Sequence, residues 1–93
     1  MQDKLGTNTA RVLKQLLRMS EEDECDIKIN GTDSWVPLDY KKLSKLADFS
    51  ESLCARIVTT LHNYDYINRV KHKNKLYYKI LPKTYKLERE GLL

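Results

Sequence analysis

No run of uncharged apolar residues in this 93-residue chain is longer than a few positions. A membrane-spanning helix needs roughly 20 such residues, so no membrane partner is expected. The opening residues MQDKLGTNTAR carry no apolar secretory core, so a soluble intracellular protein (cytoplasmic, of a host cell if the source is viral) is the expectation. Glycine and proline are scarce, three and two, and no tract has the composition of a linker or a disordered tail. There is no internal repeat. Paired carboxylates beside a base, a nucleophile motif and a glycine-rich phosphate loop are all missing, which argues against an enzyme. Nothing points to a cofactor or a small-molecule ligand. Two cysteines, Cys25 and Cys54, lie far apart, and His62 and His72 do not complete a zinc set with them. What remains is one domain, residues 1–93, with room for one modest core.

The charge is unevenly distributed. The net +4 divides into −3 over residues 1–39 (five Lys/Arg, eight Asp/Glu) and +7 over residues 40–93 (twelve and five). From Tyr66 to Leu87 there are seven basic residues, Arg69, Lys71, Lys73, Lys75, Lys79, Lys83 and Lys86, and no acid. A one-sided basic field attracts polyanions. A solvated lysine-rich surface is the plainer reading, and the missing acids favour the first.

Along the chain, Val12, Leu13, Leu16, Leu17 and Met19 predict a helix over 9–20, capped by Thr7 or Thr9. The acidic run Glu21–Glu24 opposes the helix dipole and should end it near Ser20. Asp26–Ile29 alternates, Asn30-Gly31 is a turn signal, and a short strand is expected there or at Ser34–Val36, as a third strand beside a later hairpin. Trp35 reads as an anchor in the core or at an interface. A short helix over about Asp39–Ala47 follows, with Asp39 as cap, Tyr40, Leu43, Leu46 and Ala47 inward, and Lys41, Lys42 and Lys45 outward. Asp48-Phe49 makes a turn of about three residues, and Ser50 caps a helix running to Asn63.

In that last helix Cys54, Ile57, Val58 and Leu61 fall on one apolar stripe. Ser52, Ala55, Arg56, Thr59 and Asn63 occupy the opposite, small, polar and basic face. Cys54 therefore reads as a small hydrophobe. The alternative is a disulfide with Cys25, within or between chains, which intracellular proteins of hyperthermophiles tolerate. Strands Tyr66–Lys71 and Leu76–Leu81 flank His72-Lys73-Asn74-Lys75. Tyr66, Tyr77 and Tyr78 fit a core better than a base-stacking surface. The tail 83–93 is expected to form a short helix capped by Thr84, with Tyr85, Leu92 and Leu93 available to cover a partner chain.

A short turn between two helices is the spacing of a helix-turn-helix, about 39–64, whose second helix reads a major groove. With the basic hairpin, about 66–81, the order resembles the α+β winged-helix fold. The segment SESLCARIVTTLHNYDYINRV is similar to the recognition helix and following strand of multiple-antibiotic-resistance-type (MarR-type) regulators. That resemblance puts Ser50, Ser52, Ala55 and Arg56 at DNA-facing positions and His72–Lys75 at the wing tip. It also implies a transcriptional regulator acting as a homodimer on double-stranded DNA. The chain departs from that family where Asp65 replaces the usual glycine and where a long C-terminal helix pair is lacking. In size, basic wing and paired cysteines it most resembles small winged-helix proteins encoded by viruses of hyperthermophilic archaea.

Residue chemistry points the same way. Arg56 can make a bidentate contact to guanine or clamp a phosphate. Ser50, Ser52, Thr59 and the helix N-terminal amides suit phosphate oxygens. Arg69, Lys71, Lys73 and Lys75 would neutralise backbone charge, with Asn74 or His72 able to enter a minor groove. Each also has a plain reading: Arg56 as an exposed helical arginine, the lysines as edge-strand charges that block aggregation. A winged-helix module docking an acidic protein, or single-stranded nucleic acid, is the alternative partner.

Overall fold

Val12, Leu13, Leu16, Leu17 and Met19 are all buried and anchor the first helix, α1 (Thr7–Asp23), to the rest of the chain. A computed structural model describes residues 5–23 and 27–93, so Cys25 and the beginning of the Asp26–Ile29 segment lie outside the described residues. After α1 come β1 (Val36–Pro37), α2 (Tyr40–Ala47), α3 (Glu51–Asn63), β2 (Ile67–His72), β3 (Lys75–Ile80) and α4 (Pro82–Arg89). The three strands form an antiparallel sheet in the order β1-β3-β2, so the described residues make an α+β fold.

α1 is longer than the spacing predicts. It starts at Thr7 and runs past Ser20 through Glu21 and Glu22 to Asp23. Acids at a helix C-terminus cost only about 0.3–1 kcal/mol, and less in salt. Adding a residue to a formed helix gains a hydrogen bond without a new nucleation step. Burial of Met19 holds the final turn down, and the dipole penalty loses.

The third strand is shorter and later than expected. Asn30 (φ 52°) and Gly31 (φ 77°) form a two-residue turn closed by the Ile29–Thr32 bridge. Trp35 is buried, and its indole N–H donates to the Thr32 carbonyl at 3.0 Å. Val36 then pairs with Tyr78 and Pro37 with Tyr77. Proline has no N–H to give a ladder, so it suits the end of an edge strand.

The two central helices follow the expected caps. The Asp39 carboxylate accepts from the amides of Lys41 and Lys42 at 3.0 and 3.2 Å, and the Ser50 hydroxyl oxygen accepts from Leu53 N at 3.1 Å. Each such cap contributes about 1 kcal/mol. Asp48 closes α2 in the left-handed region (φ 60°), and the Ser44 hydroxyl donates to the Phe49 carbonyl, fixing the turn. Leu46 corrects the expected inner face: it is 46% exposed, while Leu43 and Ala47 are buried. Positions 43 and 47 are one turn apart, and a helix this short buries only that narrow stripe.

Asp65 (φ 64°) turns the chain from α3 into β2, taking the left-handed conformation that Asp tolerates better than most residues. Tyr78 is fully buried in β3, and its hydroxyl donates to the Leu16 carbonyl at 2.6 Å, tying sheet to α1. α4 begins with Pro82 at its first turn and has no side-chain cap. Thr84 is therefore not the cap the sequence suggests. It is buried, and its hydroxyl donates to the Tyr66 carbonyl at 2.6 Å. Pro82 starts the helix by its fixed φ, which makes a capping side chain dispensable. Leu87 and Leu93 pack against the core, whereas Tyr85 is exposed and Leu92 is 63% exposed.

Replacing Tyr78 with Phe keeps the ring and removes the bond to the Leu16 carbonyl, which retains its helical donor. Urea unfolding should register a loss of about 0.5–1.5 kcal/mol at unchanged m-value; a loss near zero would mean the bond contributes nothing in solution.

Candidate nucleic-acid interface

Cys54, Ile57, Val58 and Leu61 are buried, which leaves Ser52, Arg56 and Thr59 exposed on the outer face of α3, with Ala55 half-buried among them. Ser50 and Glu51 are exposed at its N-terminal end. Ser50 uses its oxygen as the cap and keeps its O–H to donate. Glu51 favours the helix dipole but would repel phosphate. Thr59 is differently committed: its O–H donates to the Ala55 carbonyl at 3.0 Å, so it has no proton left for a phosphate.

The hairpin register explains where the wing residues go. Ile67 faces Ile80, Arg69 faces Tyr78 and Lys71 faces Leu76. Residues directly opposite share a sheet face, so Arg69 and Lys71 stand on the face that carries buried Ile67, Tyr78 and Ile80 toward the helices. From there the Arg69 guanidinium donates to the Thr59 hydroxyl oxygen at 3.0 Å. One hydrogen bond thus joins the outer face of α3 to β2.

At the tip, Lys73 (φ 50°) and Asn74 (φ 65°) make a two-residue turn. Both central residues have positive φ, as in the type I′ turns that match strand twist. Lys71, Lys73, Asn74 and Lys75 are exposed, while the His72 ring meets the Tyr77 ring edge-on, centroids 6.5 Å apart.

The acid-free stretch does not make a single field. Lys83 donates to the Tyr64 carbonyl at 2.9 Å and lies 4.3 Å from the centroid of the Tyr66 ring. Lys79 lies on the opposite face of the sheet from Arg69 and lines a cleft with Ser20, Glu21, Ser34 and Tyr85. Tyr66 and Tyr78 are core residues and Tyr77 is half-buried. Of the basic set, Arg69 is bonded to α3 and Lys71 shares its sheet face, with the tip beyond them. Sequence reasoning named Thr59 and Arg69 separately and missed their pairing. The imperfect alternation of β2 was its trace, since two cations occupy inner-face positions there.

Cys54 is a buried free thiol, and its proposed partner Cys25 lies outside the described residues. Burial pushes the Cys54 thiol up, and the Glu51 charge adds to it. Among the described residues no group of three His, Cys, Asp or Glu could hold a metal ion, and no helix is long and apolar enough to cross a membrane. Compared with protein-family models and with curated proteins, the chain matches none.

Two outcomes follow from this geometry. A raised thiol pKa and burial leave little reactive thiolate, so Cys54 should resist iodoacetamide at pH 8 in the native protein and react rapidly in urea; fast native labelling of Cys54 would contradict its burial. Thr59→Val removes the acceptor for Arg69 while changing stability by no more than about 0.5 kcal/mol, as for most surface substitutions. The Arg69 guanidinium protons should then exchange faster with water by NMR, and unchanged exchange would mean the bond does not hold in solution.

Proposed function

We propose that this chain is a winged-helix, sequence-specific double-stranded-DNA-binding protein that regulates transcription as a homodimer. The observation that carries this reading is the Arg69–Thr59 hydrogen bond, 3.0 Å long. It holds the exposed polar face of α3 and the basic strand β2 on one side of the molecule, the arrangement needed to grip one duplex. The element order helix, strand, helix, turn, helix, hairpin and the sheet order β1-β3-β2 support the winged-helix assignment.

In this reading α2 and α3 are the helix-turn-helix, and α3 enters the major groove. Arg56 reads a guanine edge, because a planar guanidinium can donate to O6 and N7 together. Ser50 and Ser52 donate to phosphates beside it, and Ala55 leaves space for close approach. Thr59 acts by holding Arg69, whose remaining N–H groups face the backbone together with Lys71, Lys73 and Lys75. The tight tip presents Asn74, with His72 behind it, to the neighbouring minor groove. Exposed Tyr85 and Leu92 give the tail an apolar surface for a second copy. Paired recognition helices would meet half-sites roughly 34–36 Å apart.

Binding of duplexes selected from a random pool tests this. Arg56→Ala should weaken the selected sequence by about 1–3 kcal/mol and relax preference at one position. Lys73→Ala should lower affinity for all sequences and reduce the salt slope by about 0.9, the value for one phosphate contact. Variants that bind like the parent would sink the assignment of helix and wing. No retardation of any duplex at low salt would leave the acidic-protein module as the reading.

A further inference from the structure

Arg11 stands exposed on the second turn of α1, and its guanidinium carbon lies over the Phe49 ring, 5.3 Å from the centroid. Phe49 is the residue before Ser50, in the turn between α2 and α3. The ring is itself held: it packs against the core, and the Phe49 carbonyl accepts from the Ser44 hydroxyl. A cation seated on a ring face is positioned without spending its five N–H donors. Arg11 has no hydrogen-bond or ion-pair partner among the described residues. Its own helix offers no acid from Leu5 to Ser20. Asp48 and Glu51, the acids closest to Phe49 in sequence, are exposed, and neither is ion-paired with it. Arg18 differs: exposed Glu21 and Glu22 follow it at i+3 and i+4 on the same helix, where opposite charges attract. α1 thus brings a guanidinium with unspent donors to the N-terminal end of α3.

Arg69 is bonded further along the same helix, to Thr59, nine residues beyond Ser50. At about 1.5 Å per residue, the two positions are roughly 13.5 Å apart along the α3 axis. That is comparable with the major-groove width of about 12 Å, so cations so placed meet different phosphates. We propose, resting on the DNA-binding reading above, that Arg11 is a further phosphate contact of that same site, positioned by the Phe49 ring. α1 then grips the DNA backbone beside Ser50, while Arg69 grips it further along α3. Glu51 and Asp48 repel phosphate at this end, and the neutral serines cannot offset them; a guanidinium on Phe49 can. The contact carries no base preference, since it meets the backbone and not a base edge.

The test measures duplex binding by the full chain across a salt series. Arg11→Gln keeps a good helix former on an exposed position and should fold, as checked by circular dichroism. It should weaken the selected and unrelated duplexes alike and reduce the salt slope by about 0.9, roughly an eightfold loss in 0.1 M salt relative to 1 M. Arg11→Lys keeps the charge and should recover the parent's slope, a rescue that a purely structural arginine does not predict. Phe49→Leu keeps apolar packing without the ring face and should also weaken binding. Adding Arg11→Gln to it should then cost less than twofold more, because the two residues act as one unit. Arg18→Gln should stay within twofold of the parent. Parental affinity and slope in Arg11→Gln, beside a parent that binds the selected duplex, would overturn this contact and leave the DNA-binding reading standing. Equal losses from Arg11→Gln and Arg18→Gln would overturn it by assigning the effect to net charge. Fully additive losses from Arg11→Gln and Phe49→Leu would overturn the positioning by the ring. A parent that retards no duplex removes the DNA-binding reading, and this contact with it.

Discussion

Burial of one stripe on α3 sets the rotation of that helix, and with it everything offered on the outside. Cys54, Ile57, Val58 and Leu61 go inward. The three larger side chains are worth about 1.5–3 kcal/mol each on burial. The polar residues opposite contribute tenths of a kcal/mol by their own local bonds. No arrangement of Ser52, Arg56 and Thr59 can compete with that difference, so their exposure is a consequence of the core. Turning the helix by one residue would bury Arg56 or Thr59 and expose Leu61.

The loops then decide where the hairpin lies relative to that face. Asp65 reverses the chain in the left-handed region, and β2 runs back beside α3. Its register with β3 alternates the faces, so Arg69 and Lys71 follow Ile67 on the helix side of the sheet. Ile67 is buried; Arg69, two residues on, reaches the rim and finds Thr59. A cation at that position keeps the sheet edge soluble and still ties β2 to the outer face of α3. Tyr78, bonded to Leu16, and Thr84, bonded to Tyr66, fix the sheet and α4 from behind. Charge is thereby sorted along the chain: Arg69 and Lys71 on the helix side of the sheet, Lys73 and Lys75 at the hairpin tip, and on α1 exposed Arg11, Lys14 and Arg18 followed by Glu21 and Glu22.

Much of the local structure was legible because it rests on patterns that packing does not overrule. The caps Asp39 and Ser50, the Asn30-Gly31 turn and the α3 stripe are each determined within a few residues. The misreadings share a different cause. The end of α1 and the exposure of Leu46 depended on tertiary burial outweighing a dipole or a helical period. Thr84 looked like a cap because its hydroxyl suits one, but Pro82 had already started the helix and Tyr66 offered a buried acceptor. The tip of the hairpin was unreadable because Lys73 at positive φ breaks the rule that Asn-Gly marks such turns. The basic stretch Tyr66–Leu87 overstated its field, since sequence proximity cannot tell which sheet face Lys79 takes or that Lys83 folds back on Tyr66. The Arg69–Thr59 pair spans ten residues and two elements, which no periodicity reveals.

Joint engagement of one double-stranded DNA by the outer face of α3 and the hairpin tip is tested most directly by NMR. A selected duplex is titrated into isotopically labelled protein and the amide shifts are followed. The largest changes should fall on Ser52, Arg56, Thr59, Arg69, Lys73 and Asn74, rising with one common affinity. Changes confined to α4 around Tyr85 and Leu92, or α3 and tip residues moving with clearly different affinities, would contradict that joint grip.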